Sequence, residues 1–141
     1  MEQCVVREAI DSDAQSINNV SQYLGYAVLS DSVASKKLSE LIESESDKVY
    51  VAEFAGKIVG WVHLYFVRRL ASDNYFEVGG LVVHPDYRRK GIGKLLIQSA
   101  VSEQQGRIRV RSNQLRVEAH KFYEQLGFHG NKVQRVFEIR S

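Results

Sequence analysis

Apolar side chains recur along this chain with two periods. Ala14, Ile17 and Val20 are spaced for one face of a helix, and so are Ala34, Leu38, Leu41 and Ile42 further on. Asp11 or Ser12 is placed to cap the first helix, and Asp31 or Ser32 the second. Tyr23, Gly25 and Tyr26 break the pattern between them. That segment reads equally as a mobile lip over a site or as two rings packed on the core. Extended runs alternate with these helices. Val5 and Val6 predict a first strand, 49–54 and 58–67 a hairpin turning at Ala55-Gly56-Lys57, and 75–83 the third strand of a meander. Ile92, Leu95, Leu96 and Ala100 return to helical spacing, in a helix predicted over 91–105 and ended by Gly106. Residues 107–111 alternate strictly, which gives a strand with one apolar and one arginine face. The arginine face is either merely solvated or a holder of phosphates or of an anionic substrate. Val117, Ala119, Phe122, Tyr123 and Leu126 make a last amphipathic helix closed by Gly127, and 133–140 reads as a closing strand. The order β-α-α-β-β-β-α-β-α-β predicts an α+β fold on a mixed, mostly antiparallel sheet.

Two places along the meander depart from ordinary strand composition. Glycine weakens a strand interior, so the pair Gly79-Gly80 predicts a bulge or a close approach to the backbone. A bulge there would splay the strand from its parallel neighbour and leave N–H groups unpaired. On the preceding strand, Trp61, His63 and Tyr65 share one face. They form either a packed aromatic face or a substrate-side wall.

The densest chemistry follows the third strand. Leu81, Val82 and Val83 lead into His84-Pro85, and then come Arg88, Arg89, Lys90, Gly91, Ile92, Gly93 and Lys94 at the start of a helix. The first N–H groups of a helix have no backbone partner and lie at the positive end of its dipole. Glycines 91 and 93 expose that backbone, and four nearby cations add charge, so the turn is an anion site suited to phosphate or pyrophosphate. It is not a mononucleotide P-loop, because Arg88 stands where the first glycine belongs and Leu95 where the hydroxyl belongs. It is not a dinucleotide fingerprint either, because Leu96 replaces the third glycine.

The segments V-x-H-P-x-Y and R-x-x-G-x-G, set between a strand and a helix, resemble the GNAT superfamily of N-acetyltransferases. So does E-A-H-K-F-Y-E-Q-L-G-F over 118–128. The resemblance implies a sheet with helices on both faces and acetyl-CoA as co-substrate. The loop Arg88, Arg89, Lys90, Gly91, Ile92, Gly93, Lys94 would hold its pyrophosphate. Backbone groups of Leu81, Val82 and Val83 would bind its pantetheine arm beside the bulge. Tyr123 takes the position whose hydroxyl commonly faces the cofactor sulfur. Where many relatives carry an asparagine three residues before Ala119, this chain has Arg116; Asn113 is the substitute contact, at a different spacing. Glu77 stands eleven residues before Arg88, the spacing of a catalytic glutamate in histone-acetyltransferase members. Its other reading is a solvated strand carboxylate. The implied reaction is acetyl transfer to a primary amine of a small molecule or peptide by direct attack, with Glu77 as base. Homodimerisation is a family habit.

Composition narrows the alternatives. At 141 residues the chain is expected to form a single domain over 1–141, and 44% hydrophobic and 26% charged residues suit a globular core. A net charge of +2 gives no general affinity for nucleic acid or membranes, so no nucleic-acid or membrane partner is expected. Cys4, the single cysteine, excludes an internal disulfide and reads as a buried thiol. Glu2 and Arg7 interrupt any apolar leader, so the expected setting is cytoplasmic. His63, His84, His120 and His129 lack metal-ligand spacing, and no metal is expected. Two rival functions remain: a non-catalytic module that senses CoA, and a nucleic-acid binder, which the near-neutral charge disfavours.

Overall fold

The computed structural model describes residues 3–104 and 106–141. They form two compact units divided after Val110. The first holds a five-stranded sheet in the order β1 (Cys4–Glu8), β2 (Asp47–Phe54), β3 (Lys57–Val67), β4 (Tyr75–Val83) and β5 (Ile108–Val110). Neighbours are antiparallel except β4 and β5, which are parallel. The β2–β3 turn works because Ala55 and Gly56 both adopt left-handed backbone, with φ of 53° and 77°, matching the twist of the flanking strands.

Side-chain alternation sorts the sheet into two buried faces. Val49, Val51 and Trp61 pack with Ala14 and Ile17 of α1 (Ala14–Ser21) and Leu38 and Leu41 of α2 (Asp31–Glu43). The opposite face carries Tyr50, Ala52, Val62 and Leu64, all at most 1% exposed. There lies α3 (Ile92–Glu103), which buries Ile92, Leu96, Ile97 and Ala100. The Tyr50 hydroxyl donates to Glu103 at 3.1 Å and accepts from Gln104 Nε2 at 2.9 Å, tying the end of α3 to β2. Helices therefore cover both faces, and each fully buried aliphatic side chain contributes about 1.5–3 kcal/mol.

Several expectations are corrected. Ser30, not Asp31 or Ser32, caps α2, its hydroxyl accepting from Val33 N–H at 3.3 Å. Asp11 and Ser12 lie in a 3₁₀ turn before α1 and do not cap it with a side-chain bond. Tyr23 and Tyr26 are 38% and 76% exposed, so neither ring is a core residue. Gln105, at the expected end of α3, lies outside the described residues.

The second unit contains α4 (Val117–Gln125). Gly127 ends it at φ 98°, with Gly127 and Phe128 N–H groups donating to the Glu124 and Tyr123 carbonyls. The element order is the expected one as far as α4, but 133–140 is not a strand. Val133, Val136, Phe137 and Ile139 are each at least 76% exposed. Alternation specifies a face to bury, but a strand forms only where a partner edge takes its N–H and C=O groups.

Candidate active site

The glycine pair does produce a bulge. His63 pairs with Gly80 and Leu64 with Val78, so Gly79 is the extra residue on β4. Rungs to β5 run only from Phe76 to Val78, and residues 79–83 of β4 extend past the last of them. His84 N–H donates to Val59 O at 2.7 Å. By the alternation of the ladder, the backbone groups of Leu81 and Val83 turn away from β3, whereas those of Val82 turn toward it. Of the three residues expected to meet a cofactor by backbone, two thus present N–H groups on the open side. Val82 instead buries its side chain to 5% exposure.

The turn into α3 meets the requirements of an anion site. Gly91 is its N-cap at φ 75°, no side chain caps it, and the first intrahelical bond is from Leu95 N–H to Gly91 O at 2.9 Å. The N–H groups of Ile92, Gly93 and Lys94 precede that bond. Arg89 also adopts left-handed backbone, at φ 65°, an uncommon state for a residue with a side chain. Arg88, Arg89, Lys90 and Lys94 are exposed, and among the described residues none forms an ion pair. Arg88 Nε donates to the Val83 carbonyl at 3.2 Å, and Lys90 Nζ sits 5.7 Å from the Phe54 ring. Ile92 is a core residue by its side chain, 3% exposed, so only its N–H is offered to a ligand.

On the α1–α2 face, Glu77 is 3% exposed. That overturns the reading of a solvated carboxylate. It pairs across β3 with Tyr65, two residues from His63. A Cβ at Gly79 would meet His63 Nδ1 at 3.0 Å and the Tyr65 ring at 3.0–3.1 Å, so these rings stand over the bulge. His63 Nε2 lies 2.7 Å from Asp47 Oδ1, and Ser44 Oγ donates to Asp47 Oδ2 at 2.7 Å. Spacing along β3 puts His63 on this wall but carries no sign of Asp47 beside it. Only the hairpin register, Asp47 beside Tyr65 and Val49 beside His63, reveals their pairing.

Other expectations resolve differently. Arg107 is exposed and Arg109 half-buried, and they lie 5.6 and 4.5 Å from the Tyr75 ring, where Arg69 also sits at 5.8 Å. Tyr23 meets His84 edge-on at 4.7 Å between centroids. An open cleft of about 540 Å³ runs beside that contact, but its Arg7 is taken up by Asp13 and Glu53. Cys4 is half-buried, not the fully buried thiol expected, and this partial burial still raises its thiol above the ordinary range.

Within the second unit, Tyr123 packs edge-on against Phe122 and Phe128. Burial pushes its phenol upward, with Arg116 acting the other way, so it stays protonated at neutral pH. Asn113 Oδ1 accepts from Leu115 N–H at 2.9 Å, and its carbonyl oxygen lies 2.9 Å from His120 Nε2. No three His, Cys, Asp or Glu residues converge as metal ligands among the described residues. No helix among them is long and apolar enough to cross a membrane.

A mixed sheet with a bulge in β4, followed by the uncapped, cation-flanked start of α3, defines the class as an α+β domain. A model of the acetyltransferase (GNAT) domain matches residues 45–130, and the chain belongs to that family. It is 32% identical over 100 residues to an uncharacterised N-acetyltransferase of Methanocaldococcus jannaschii, covering 66% of this chain and 44% of that protein. It is 30% identical over 96 residues to one of Chlorobaculum tepidum, covering 67% and 56%. The chain thus spans about half the length of these relatives. In fold it is similar to glucosamine-6-phosphate N-acetyltransferase from Arabidopsis thaliana, with a TM-score of 0.83 and 17% identity over 98% of this chain and 99% of that one. An aminoglycoside N-acetyltransferase in complex with a CoA bisubstrate analogue gives 0.84 and 15% over 99% of each.

Proposed function

We propose that residues 1–141 act as one N-acetyltransferase domain, moving an acetyl group from acetyl-CoA to a primary amine by direct attack, in a cytoplasmic setting. The observation that carries this is the uncapped N-terminus of α3, ringed by Arg88, Arg89, Lys90 and Lys94, next to the open side of a bulged β4. The pyrophosphate would take the N–H groups of Ile92, Gly93 and Lys94. The pantetheine arm would take the backbone of Leu81 and Val83. Asn113, its side-chain oxygen already engaged, would lend at most its amide group.

The chemistry requires a proton acceptor. A lysine-like amine has a pKa near 10.4, so only about one in 10³ is neutral at pH 7. Glu77 is proposed to accept that proton through water, because its burial keeps a bulky amine at a distance. An N–H group near the bulge would stabilise the oxyanion, a donor typically worth about 3 kcal/mol. Tyr123 would serve the leaving thiolate. Burial holds its phenol above its ordinary range, so full proton transfer to a thiolate near 8.5 is uphill, which favours a hydrogen bond over an acid role.

The test is release of free CoA thiol from acetyl-CoA in the presence of a panel of polyamines, amino sugars, amino acids and peptide N-termini. Turnover with one class supports the proposal. Binding of acetyl-CoA without thiol release from any of them would leave a CoA-sensing module.

A further inference from the structure

We propose that His63, held by Asp47, is the side chain that meets the acceptor amine and takes the proton its nitrogen sheds once the C–N bond has formed, whereas the deeper Glu77 takes, through water, the proton the ammonium loses before attack. This rests on the acetyl-transfer reading. Three observations converge on it. First, Asp47 is fixed from both sides: Ser44 Oγ donates to Oδ2 at 2.7 Å, and His63 Nε2 lies 2.7 Å from Oδ1. The Ser44–Asp47 turn is itself tied to β3 by Phe66 N–H donating to Ser46 O at 2.7 Å. Second, a carboxylate only accepts, so in neutral His63 the hydrogen resides on Nε2 and the lone pair on Nδ1. Third, that Nδ1 looks onto Gly79, where a Cβ would stand 3.0 Å away. Gly79 is exposed, and the His63 and Asp47 side chains keep 22% and 18% exposure. The bare bulge therefore leaves a basic nitrogen open toward the slot in which the thioester is proposed to lie.

The step balances as follows. The amine lone pair forms the C–N bond to the thioester carbonyl carbon, and the nitrogen, made acidic by that bond, gives a proton to His63 Nδ1. Collapse of the tetrahedral intermediate breaks the C–S bond, and its electron pair leaves on sulfur. The imidazolium returns the proton to the CoA thiolate, directly or through water, which restores neutral His63. Asp47 stabilises the imidazolium and holds the tautomer, an orienting role like that of the carboxylate in acyl-transfer triads.

Two measurements test this. Long-range proton–nitrogen spectra of ¹⁵N-histidine protein, with the resonance assigned by His63→Gln, should show His63 as the Nε2–H tautomer. Asp47→Asn, whose amide donates, should shift it to Nδ1–H. A wild-type Nδ1–H tautomer would overturn the assignment. In thiol-release assays, His63→Gln keeps a donor toward Asp47 but lacks a base, and should lower kcat about 10²-fold while leaving the acetyl-CoA Kd within about twofold. His63→Ala should regain rate with added imidazole, and His63→Gln/Asp47→Asn should be no slower than His63→Gln alone. A kcat loss under about threefold, or a parallel loss of acetyl-CoA binding without imidazole rescue, overturns the role of His63 alone. Wild-type protein that binds acetyl-CoA yet acetylates no amine overturns the transfer reading as well, whatever the tautomer.

Discussion

Gly80→Ala should destabilise the protein, although alanine is ordinarily the better residue in regular structure. The added Cβ would lie 2.8 Å from Trp61 Cη2 and Cζ3. Carbon atoms at optimal contact are about 3.5–4.0 Å apart, so the ring must retreat by about 0.7 Å or more. It is not free to do so. Trp61 Nε1 donates to Ser21 Oγ at 3.0 Å, Ser21 Oγ donates to Ile17 O at 2.6 Å, and the ring packs against the Val49–Val51–Leu38 cluster. Overpacking of this kind costs about 1–3 kcal/mol, and a weakened hydrogen bond about 1 kcal/mol more. Loss of glycine's chain entropy in the unfolded state offsets about 0.4–1 kcal/mol. The net is a loss of roughly 1–3 kcal/mol, a fall in Tm of roughly 3–12 °C for a chain of this size. Circular-dichroism melting reads it directly. Trp61→Phe removes the blocking ring edge, so Gly80→Ala should cost far less in that background. A Gly80→Ala protein melting within about 1 °C of wild type, or losing as much beside Phe at 61, would refute the packing argument at the bulge.

Gly93→Val should weaken acetyl-CoA binding more than Lys90→Ala in calorimetric titrations, because a branched side chain blocks the amides while Lys90 is one of four cations; equal effects would mean the loop acts through charge alone. Glu77→Gln should lower kcat/KM at pH 7 by about 10²-fold. That loss should shrink by pH 9.5, where a lysine-like amine is about one-tenth neutral; a uniform loss would mark an orienting role. Arg7 donates to both oxygens of Asp13, at 2.8 and 2.9 Å, and holds its carboxyl below the usual range. The stability it lends is present above an unfolded pKa of about 3.9 and is lost as pH falls through the lowered folded value. Asp13→Asn should therefore cost about 1–3 kcal/mol at pH 7 and flatten the acid side of the Tm–pH curve, and an unchanged curve would contradict the pairing.

What was legible in the sequence was mostly local. The hairpin at Ala55-Gly56, the bulge at Gly79-Gly80 and the uncapped start of α3 at Gly91 each follow from glycine freedom or helix-end physics within a few residues. Ser30 was missed as a cap because Asp31 and Ser32 are equally good capping residues, and only backbone conformation chooses among the three. The strand expected over 133–140 failed because alternation reports a preference for burial and not the presence of an edge. The burial of Glu77 and the Asp47–His63 pair were invisible for a related reason: both depend on register between strands, which no spacing along one strand encodes.

The most direct test of the central claim is titration of the protein with acetyl-CoA by isothermal calorimetry in EDTA. Binding at one acetyl-CoA per chain, with affinity that falls when Gly93 is replaced by Val, is the predicted result. No heat, together with no thermal shift at saturating acetyl-CoA, would contradict it and would remove the basis for assigning acetyl transfer to this site.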